Sequence, residues 1–347
     1  MGRILYGVMG DARGHVTRAL TVAQEMPTHE FLFVGSGKVR DLRSKGYMVE
    51  DIPMLSTFYK NNKVDMGATV ANALAVLCTG SKFKRRVIDI IQDFNPDQIL
   101  TDYEYFTPLA ARSLGRACIS IDHQHILTHC SYQPPPSEKL SRFLTCSVIK
   151  YLYSNCSRYF IVSFFHLPPK NAQTTVVTPP LVRNAVRMVN ASDGDHVLVY
   201  QTSPTFHRLF PVLEKVDTKF VIYGFGAQPD RKNLVFKAPS TDGFLEDLAS
   251  ARYAITNGGH NVLCESIYLG KPVLAFPIAK AYEQFVNSCF LAQCGYGAYS
   301  TSLNPSEKLF ENFENHLEGF RKNISKGHFL GNQQLILSLE NLIQNPS

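Results

Sequence analysis

Residues 253 to 272 are Tyr-Ala-Ile-Thr-Asn-Gly-Gly-His-Asn-Val-Leu-Cys-Glu-Ser-Ile-Tyr-Leu-Gly-Lys-Pro, and the interpretation of the whole chain starts from this stretch. The apolar residues 254–256 predict the end of a short buried strand. Residues 261–269 predict a helix, which the following glycine and proline terminate. Gly258 and Gly259 form a turn between the two. The pattern therefore predicts a strand, a glycine turn and a helix in immediate succession.

The turn and the first helical residues together form a candidate anion site. Backbone N–H groups in the first turn of a helix lack partners, and the helix dipole places partial positive charge there. Gly258 and Gly259 would let a phosphate approach this backbone closely, with His260 and Asn261 beside it. Glu265, about one turn into the helix, could accept hydrogen bonds from two neighbouring ribose hydroxyls. We therefore predict a nucleoside diphosphate site, although such a turn also serves as an ordinary connection.

The segments that follow extend the pattern. Lys271-Pro-Val-Leu-Ala-Phe-Pro277 predicts another buried strand, and Tyr282-Glu283-Gln284-Phe-Val-Asn287 opens a polar helix. This succession resembles the donor half of GT-B glycosyltransferases, in which Gly-Gly, a helix with a glutamate, Gly-Lys-Pro and a strand precede an acidic residue, Gln and Asn. The resemblance implies that Glu283 and Gln284 hydrogen-bond hydroxyls of the donor sugar. The chain departs from the aglycone transferases at Asn257, where they have a phosphate-binding histidine.

The N-terminus contains a second strand, glycine turn and helix. A buried strand is predicted over residues 3–8, and Gly10, Gly14 and His15 follow it. Their spacing does not fit Gly-x-Gly-x-x-Gly, so a dinucleotide site of the NAD type is disfavoured. The loop is similar to that of the inverting GT-B branches that act on lipid II, on plastid diacylglycerol and on small aglycones, which carry Gly-His before a helix. This resemblance implies metal-independent transfer with inversion, and it places Gly14 beside the donor.

Two residues at predicted strand ends are candidates for catalysis. An imidazole titrates near neutral pH, so His15 could remove the proton from an acceptor hydroxyl. Asp102 ends a predicted strand over 98–102 and could orient and stabilise that imidazole. In the small-aglycone transferases such a pair is the general base and its orienting acid. A second polar cluster also follows a strand and could replace either member of this pair, or serve only as a structural cluster: Asp122, His123 and His125.

Strands and helices alternate along the chain, which predicts parallel sheets with both faces covered. The expected fold is α/β and GT-B, with two doubly wound Rossmann-like domains facing across a cleft. We expect an acceptor-side domain over residues 1–185, a linker over 190–195 and a donor domain over 195–325. Ser203 follows the first donor-domain strand and should join the donor site at the carboxyl ends of the strands. Residues 326–347 predict a C-terminal helix that packs back on the first domain.

Length and composition agree with a folded protein of two domains. The chain has 347 residues, of which 45% are hydrophobic and 18% charged. The apolar run near the N-terminus is too short and interrupted for a signal peptide, and no window reaches the roughly 18 apolar residues of a spanning helix. A cytoplasmic protein is therefore expected. The eight cysteines form no Cys-x-x-Cys pair and are interpreted as reduced core residues.

The net charge of +6 raises the question of an anionic partner. Most lysines and arginines are scattered and no recognition motif with interleaved aromatics appears, which disfavours nucleic acid. The one basic cluster, residues 82–86, follows the apolar stretch 70–78. Peripheral contact with the anionic inner face of a membrane is one interpretation, and a solvated helix face is the other. Asp193-Gly-Asp195 is interpreted as a turn and not as a metal site.

Together these features predict an inverting glycosyltransferase that uses a nucleoside diphosphate sugar, most simply a UDP-sugar, with no metal or other cofactor. The acceptor is not specified, and a lipid or a cell-envelope glycan is one class that fits. Two alternatives remain open at this level. A UDP-N-acetylglucosamine 2-epimerase would share the fold and need no acceptor, whereas a non-catalytic nucleotide-sugar-binding protein would bind the ligand without turnover.

Overall fold

The computed structural model describes residues 2–60, 63–201, 206–226 and 228–344. Within these residues the strands form two parallel sheets and one short antiparallel hairpin. The strands are β1 (Arg3–Val8), β2 (Glu30–Gly35), β3 (Met48–Asp51), β4 (Tyr59–Lys60), β5 (Lys63–Val64), β6 (Gln98–Asp102), β7 (Ile119–Asp122), β8 (Arg158–Val162), β9 (Thr175–Thr178), β10 (His196–Tyr200), β11 (Lys219–Tyr223), β12 (Leu234–Phe236), β13 (Ala254–Thr256), β14 (Val273–Ala275) and β15 (Gly297–Tyr299).

Helices connect nearly all the parallel strands. Three short 3-10 helices cover Gly37–Lys45, Pro136–Glu138 and His207–Leu209, and a π-helical turn over Ile149–Tyr153 continues the sixth α-helix. The α-helices are α1 (Arg13–Glu25), α2 (Met66–Cys78), α3 (Gly80–Phe94), α4 (Phe106–Ser113), α5 (Ile126–His129), α6 (Lys139–Val148), α7 (Asn184–Met188), α8 (Phe210–Leu213), α9 (Thr241–Ser250), α10 (His260–Tyr268), α11 (Tyr282–Gln293), α12 (Glu307–Glu314), α13 (Leu317–Ile324) and α14 (Asn332–Gln344).

The two sheets have the doubly wound arrangement that the sequence predicted. The first has seven strands in the order β3-β2-β1-β6-β7-β8-β9, and the second has six in the order β12-β11-β10-β13-β14-β15. The order reverses between β1 and β6 in the first sheet and between β10 and β13 in the second. Val8 is in register with Asp102, and Tyr200 with Thr256, at the carboxyl ends of these strands. Ligands of such sheets bind at these reversal points, so each domain offers one candidate site there.

An apolar core runs from one domain into the other. Buried residues of the first domain, such as Ile161 and Phe165, belong to the same cluster as Leu263 on α10 and Val286 on α11. The Phe165 ring stacks on Phe290 with centroids 4.2 Å apart and planes 7° apart. Because apolar area is buried between them, the two domains are held together by the hydrophobic effect as well as by polar contacts.

The C-terminal helix α14 packs against α1 of the first domain. Leu335 and Leu339 are buried in the core that α1 covers. At one end of the helix, the Nε2 atom of His29 lies 3.0 Å from an oxygen of Glu340. The chain thus returns to its first domain after it completes the second.

The eight cysteines are free thiols, and half of them are fully buried. Cys78 at the end of α2 is exposed, which corrects its interpretation as a core residue. Within the described ranges, no helix combines the length and apolar character needed to cross a membrane.

Replacing Leu335 by alanine tests the packing of α14. The side chain is fully buried, so its truncation should lower the free energy of unfolding by about 2 to 5 kcal/mol. Leu337 on the same helix is 56% exposed and provides the matched control, with an expected loss below about 0.5 kcal/mol. Urea unfolding followed by circular dichroism measures both. Equal losses for the two variants would mean that α14 does not pack in this way.

Candidate active site

The candidate site lies where the β1–α1 loop of the first domain meets the β13–α10 turn of the second. The side-chain Nδ2 of Asn261 donates a 2.9 Å hydrogen bond to the carbonyl oxygen of Gly14. A Cβ atom at Gly14, in the first turn of α1, would lie 3.3 Å from the Asn261 side chain, so glycine favours this close approach to α10. The first turns of α1 and α10, each of which follows a strand and a glycine-bearing loop, are therefore in direct contact.

His15 and Asp102 also lie together in this region. The Nδ1 atom of His15 is 2.6 Å from Oδ1 of Asp102, and the Asp102 side chain is fully buried. A carboxylate only accepts, so Nδ1 carries the proton and Nε2 is the lone-pair nitrogen. In the described parts of the chain Nε2 has no hydrogen-bond partner, and the side chain keeps 11% of its surface exposed. The imidazole is thus oriented with a free basic nitrogen at the cleft.

Arg18 is a third member of this group that the sequence did not reveal. Its Nε and Nη2 atoms donate to the two carboxylate oxygens of Asp102, both at 2.7 Å. Its Nη1 also reaches Oδ1 of Asn261 at 3.4 Å. Burial alone would lower the pKa of Arg18, but the charge and hydrogen bonds of Asp102 raise it overall. One signal was available, because Arg18 follows His15 by three residues and therefore shares its face of α1.

The β13–α10 turn has the geometry of an anion site. Gly258 has a φ of +80°, and a Cβ there would lie 2.5 Å from Oγ of Ser288, so only glycine fits. Helix α10 begins at His260, and its first internal bond runs from Leu263 N–H to the carbonyl of Gly259 at 3.2 Å. The N–H groups of residues 260–262 precede that bond and have no acceptor within the helix. They are the donors available to a phosphate.

Glu265 lies one turn further along α10 and forms an ion pair with Arg183. The Nε and Nη2 atoms of Arg183 donate to its two carboxylate oxygens at 2.7 and 3.1 Å. Arg183 follows the last strand of the first domain, so this pair also crosses between domains. A carboxylate has about four lone-pair sites, and Arg183 occupies two of them. A water-sized cavity of about 10 Å³ separates α1 from α10 beside this pair.

The start of α11 contacts the same region. Glu283 accepts a 3.1 Å hydrogen bond from Nε2 of Gln124 in the first domain. Gln284 accepts from the backbone N–H of Ile278 at 3.1 Å, which leaves its amide N–H groups for a ligand. Ser203, the remaining predicted donor contact, lies outside the described residues.

The second polar cluster does not reach His15. Asp122 accepts from Nδ1 of His125 at 2.6 Å and from Oγ of Ser120 at 2.5 Å. Burial would raise the pKa of Asp122, but the charge and hydrogen bond of His125 lower it well below its usual range. Asp122 therefore forms its hydrogen bonds with His125 and Ser120, and Asp102 is the carboxylate that contacts His15.

Two further histidines stack face to face across the cleft. The rings of His123 and His260 have centroids 3.8 Å apart and planes 16° apart. Burial lowers the pKa of both imidazoles, and the proximity of His123 lowers that of His260 further. Both rings are consequently neutral near physiological pH, and His260 adds no full positive charge beside the helix N-terminus.

No cluster of three or more His, Cys, Asp or Glu residues in the described ranges could hold a metal ion. Asp193 in the predicted linker pairs instead with Nζ of Lys271 at 2.9 Å and with Nη2 of Arg321 at 3.0 Å.

Comparison with known proteins identifies the class. The family described as glycosyl transferase family 1 matches residues 2–317, so the chain belongs to it. A protein of Methanosarcina acetivorans named as an uncharacterized glycosyltransferase is 26% identical over 334 residues, covering 88% of this chain and 86% of the relative. The chain is a glycosyltransferase with the GT-B fold.

Solved structures show the same fold over the whole chain. MurG of Acinetobacter baumannii superposes with a TM-score of 0.62 at 17% identity, covering 99% of both chains. The Arabidopsis thaliana enzyme UGT89C1, solved in complex with UDP, gives a TM-score of 0.65 at 14% identity and covers 99% of this chain and 100% of its own. At such identities the likeness concerns the fold alone.

Proposed function

We propose that this glycosyltransferase uses a nucleoside diphosphate sugar, most simply a UDP-sugar, and transfers the sugar with inversion to an acceptor hydroxyl. One observation carries the proposal: a histidine with a free Nε2, held by a buried aspartate, lies beside the loop that contacts the N-terminus of α10. A base and an anion site on opposite domains are the two groups that a direct displacement requires.

The anion site stabilises the leaving group. As the bond from sugar to phosphate breaks, negative charge grows on the diphosphate. The N–H groups of residues 260–262 and the positive end of the α10 dipole are aimed at that charge before the reaction starts. The proposal assigns this stabilisation to the protein backbone and not to a bound metal.

The acceptor hydroxyl is activated by a side chain of the first domain. Nε2 of His15 takes the hydroxyl proton as the oxygen attacks the anomeric carbon, and Asp102 stabilises the imidazolium that forms. A single displacement of this kind inverts the configuration at the anomeric carbon. Glu283 and Gln284 at the start of α11 are the proposed contacts to the sugar hydroxyls.

The choice of UDP is supported by Glu265 and by a structural neighbour. Glu265 is one helical turn from the phosphate donors and keeps lone pairs for a ribose. UGT89C1 of the same fold was solved with UDP bound. Binding of UDP to the parent protein, measured by calorimetry, is the direct test, and absence of binding would contradict the proposal.

Replacement of Glu265 by glutamine tests the ribose contact. UDP binding should weaken by about 1 to 3 kcal/mol, because a charge-assisted acceptor is replaced by a poorer one. Glu311→Gln on the exposed surface of α12 is the matched control and should bind UDP like the parent. Melting without ligand is measured alongside, since the change also disturbs the ion pair with Arg183. Unchanged UDP affinity in a folded variant would remove Glu265 from the site.

Replacement of His15 by alanine separates catalysis from binding. The transfer rate should fall by about 10² to 10⁴, while UDP affinity stays near that of the parent, because the proton moves only in the transition state. Asp102→Asn should also slow transfer, because the imidazole loses the charged group that orients it. Full activity of His15→Ala on an acceptor would place the base elsewhere. Loss of UDP binding would instead assign the first glycine loop to the donor.

The structure also supports a membrane-borne acceptor. Helix α6 and the π-helical turn expose Leu140, Phe143, Val148 and Tyr151, with exposures of 70%, 67%, 44% and 71%, respectively. We call these four residues the apolar surface. Residues 139–157 around it contain three basic residues and no acidic one. An exposed apolar helix face with basic flanks suits the interface of an anionic bilayer.

A second helix lies on the same side of the sheet. Val76 of α2 and Tyr153 of the π-helical turn belong to one core cluster. Helix α2 exposes Val70 and Leu74, and the basic residues 82–86 follow it on α3. We therefore extend the proposed membrane contact to α2 and propose that the acceptor is presented from the bilayer.

Sedimentation with lipid vesicles tests this contact. Phe143→Ser should reduce binding to phosphatidylglycerol-containing vesicles roughly tenfold, because one exposed aromatic ring no longer enters the bilayer. Leu337→Ser on α14, which also removes an exposed apolar side chain, should bind like the parent. The contact is refuted if the parent fails to bind these vesicles or if both variants bind equally.

A further inference from the structure

Residues 122–125, which follow β7, link the first domain to the donor turn of the second. We call them the clasp. The clasp is fixed at its own end by Asp122, which accepts from the backbone N–H of His125 at 2.9 Å and from its Nδ1 at 2.6 Å. The two residues between them, His123 and Gln124, both form hydrogen bonds with the second domain. The anchored ends therefore leave the middle of the clasp to form the contacts between domains.

His123 is fully buried, and each of its ring nitrogens faces an acceptor. Nδ1 lies 2.9 Å from the carbonyl oxygen of Val162 at the end of β8, and Nε2 lies 2.7 Å from Oδ1 of Asn287 on α11. The orientation of the Asn287 amide is fixed, because its Nδ2 donates to the carbonyl oxygen of Gly258 at 3.2 Å. A neutral imidazole carries a single N–H, and the fixed Asn287 amide places it on Nε2, which donates to Oδ1. His123 thus connects the first domain to the side chain that holds the donor turn.

The bond to Gly258 matters because this residue determines the shape of the turn. Its φ of +80° aims the following peptide groups toward the N-terminus of α10, where the phosphate donors lie. His260, the first helical residue, stacks on the His123 ring with centroids 3.8 Å apart. The same imidazole therefore touches the turn from two directions, through Asn287 on one side and through His260 on the other.

Gln124 forms a second hydrogen bond between the two domains. Its Nε2 donates to Glu283 at 3.1 Å, at the start of the same helix that carries Asn287. Two adjacent residues of the first domain thus contact two residues of α11 that lie one turn apart.

We propose that His123 is a positioning residue which, through Asn287, holds the Gly258 turn in the conformation that binds the diphosphate of the donor. The first domain then shapes the donor site through a turn of the second domain. This inference rests on the proposed function, since it concerns the nucleoside diphosphate site described there.

Two substitutions at His123 separate its hydrogen bonds from its shape. His123→Phe keeps a flat ring against His260 but removes the ring N–H that donates to Asn287, whereas His123→Gln loses the ring and keeps an amide donor for Asn287. His123→Phe should bind UDP about tenfold more weakly than the parent, and His123→Gln should retain most of the affinity. Calorimetry with UDP measures both, and melting without ligand shows whether each variant is folded.

A double-mutant cycle with Asn287 tests whether His123 acts on the Gly258 turn through this side chain. If His123 acts through Asn287, His123→Phe should weaken UDP binding in the parent protein. In a protein that already carries Asn287→Ala, the same substitution should cause no further loss of UDP affinity. Additive losses, or parent-like affinity of His123→Phe, would overturn the inference and leave the proposed function intact. Equal losses for the phenylalanine and glutamine variants would also overturn it, because packing and not the hydrogen bond would then be responsible. A parent that binds no UDP would instead overturn the proposed function, and this inference with it.

Discussion

The buried carboxylate of Asp102 is the constraint around which the cleft is built. A carboxylate removed from water is costly unless charged partners surround it, and here Arg18 occupies both oxygens while His15 donates to one of them. Both partners lie on α1, so the pairing fixes this helix against the end of β6. Arg18 also reaches Asn261 in the other domain. The buried charge of Asp102 therefore orients both the candidate base, His15, and helix α1, whose first turn contacts α10.

The contact between the domains combines two kinds of interaction. An apolar cluster continues from the first sheet to α10 and α11, and it contributes stability without specifying a register. The hydrogen bonds between the domains fix their relative position, because directional contacts such as Asn261 to Gly14 and Arg183 to Glu265 form only when the two surfaces are correctly aligned. These two contacts end on α10, and those of His123 and Gln124 end on α11. The position of the donor helix is accordingly set by the first domain.

Local patterns in the sequence predicted the elements and the strand-end residues well. Asp102 ends β6 and His15 lies in the first turn of the helix that follows β1; parallel strands bring their carboxyl ends to one edge, so the proximity of the two residues could be expected. The partners of these residues could not be found in the same way. Arg18 is a charged residue on a helix, a type that usually faces solvent, and its burial depends on Asp102. The ion pair of Arg183 with Glu265 depends on how two domains meet, which no local periodicity encodes.

The two buried histidines, His123 and His260, affect the charge of the cleft. A protonated imidazole at position 123 or 260 would lie near Arg18 and would oppose protonation of His15 during transfer. Burial lowers the pKa of both rings, so they can stack at 3.8 Å without repulsion. The full positive charges described beside the donor turn are then Arg18 and Arg183, which Asp102 and Glu265 balance, and the turn itself presents the partial charge of backbone N–H groups. The stabilisation proposed for a departing diphosphate therefore comes from oriented backbone dipoles, while the Asp102 carboxylate holds His15 in place.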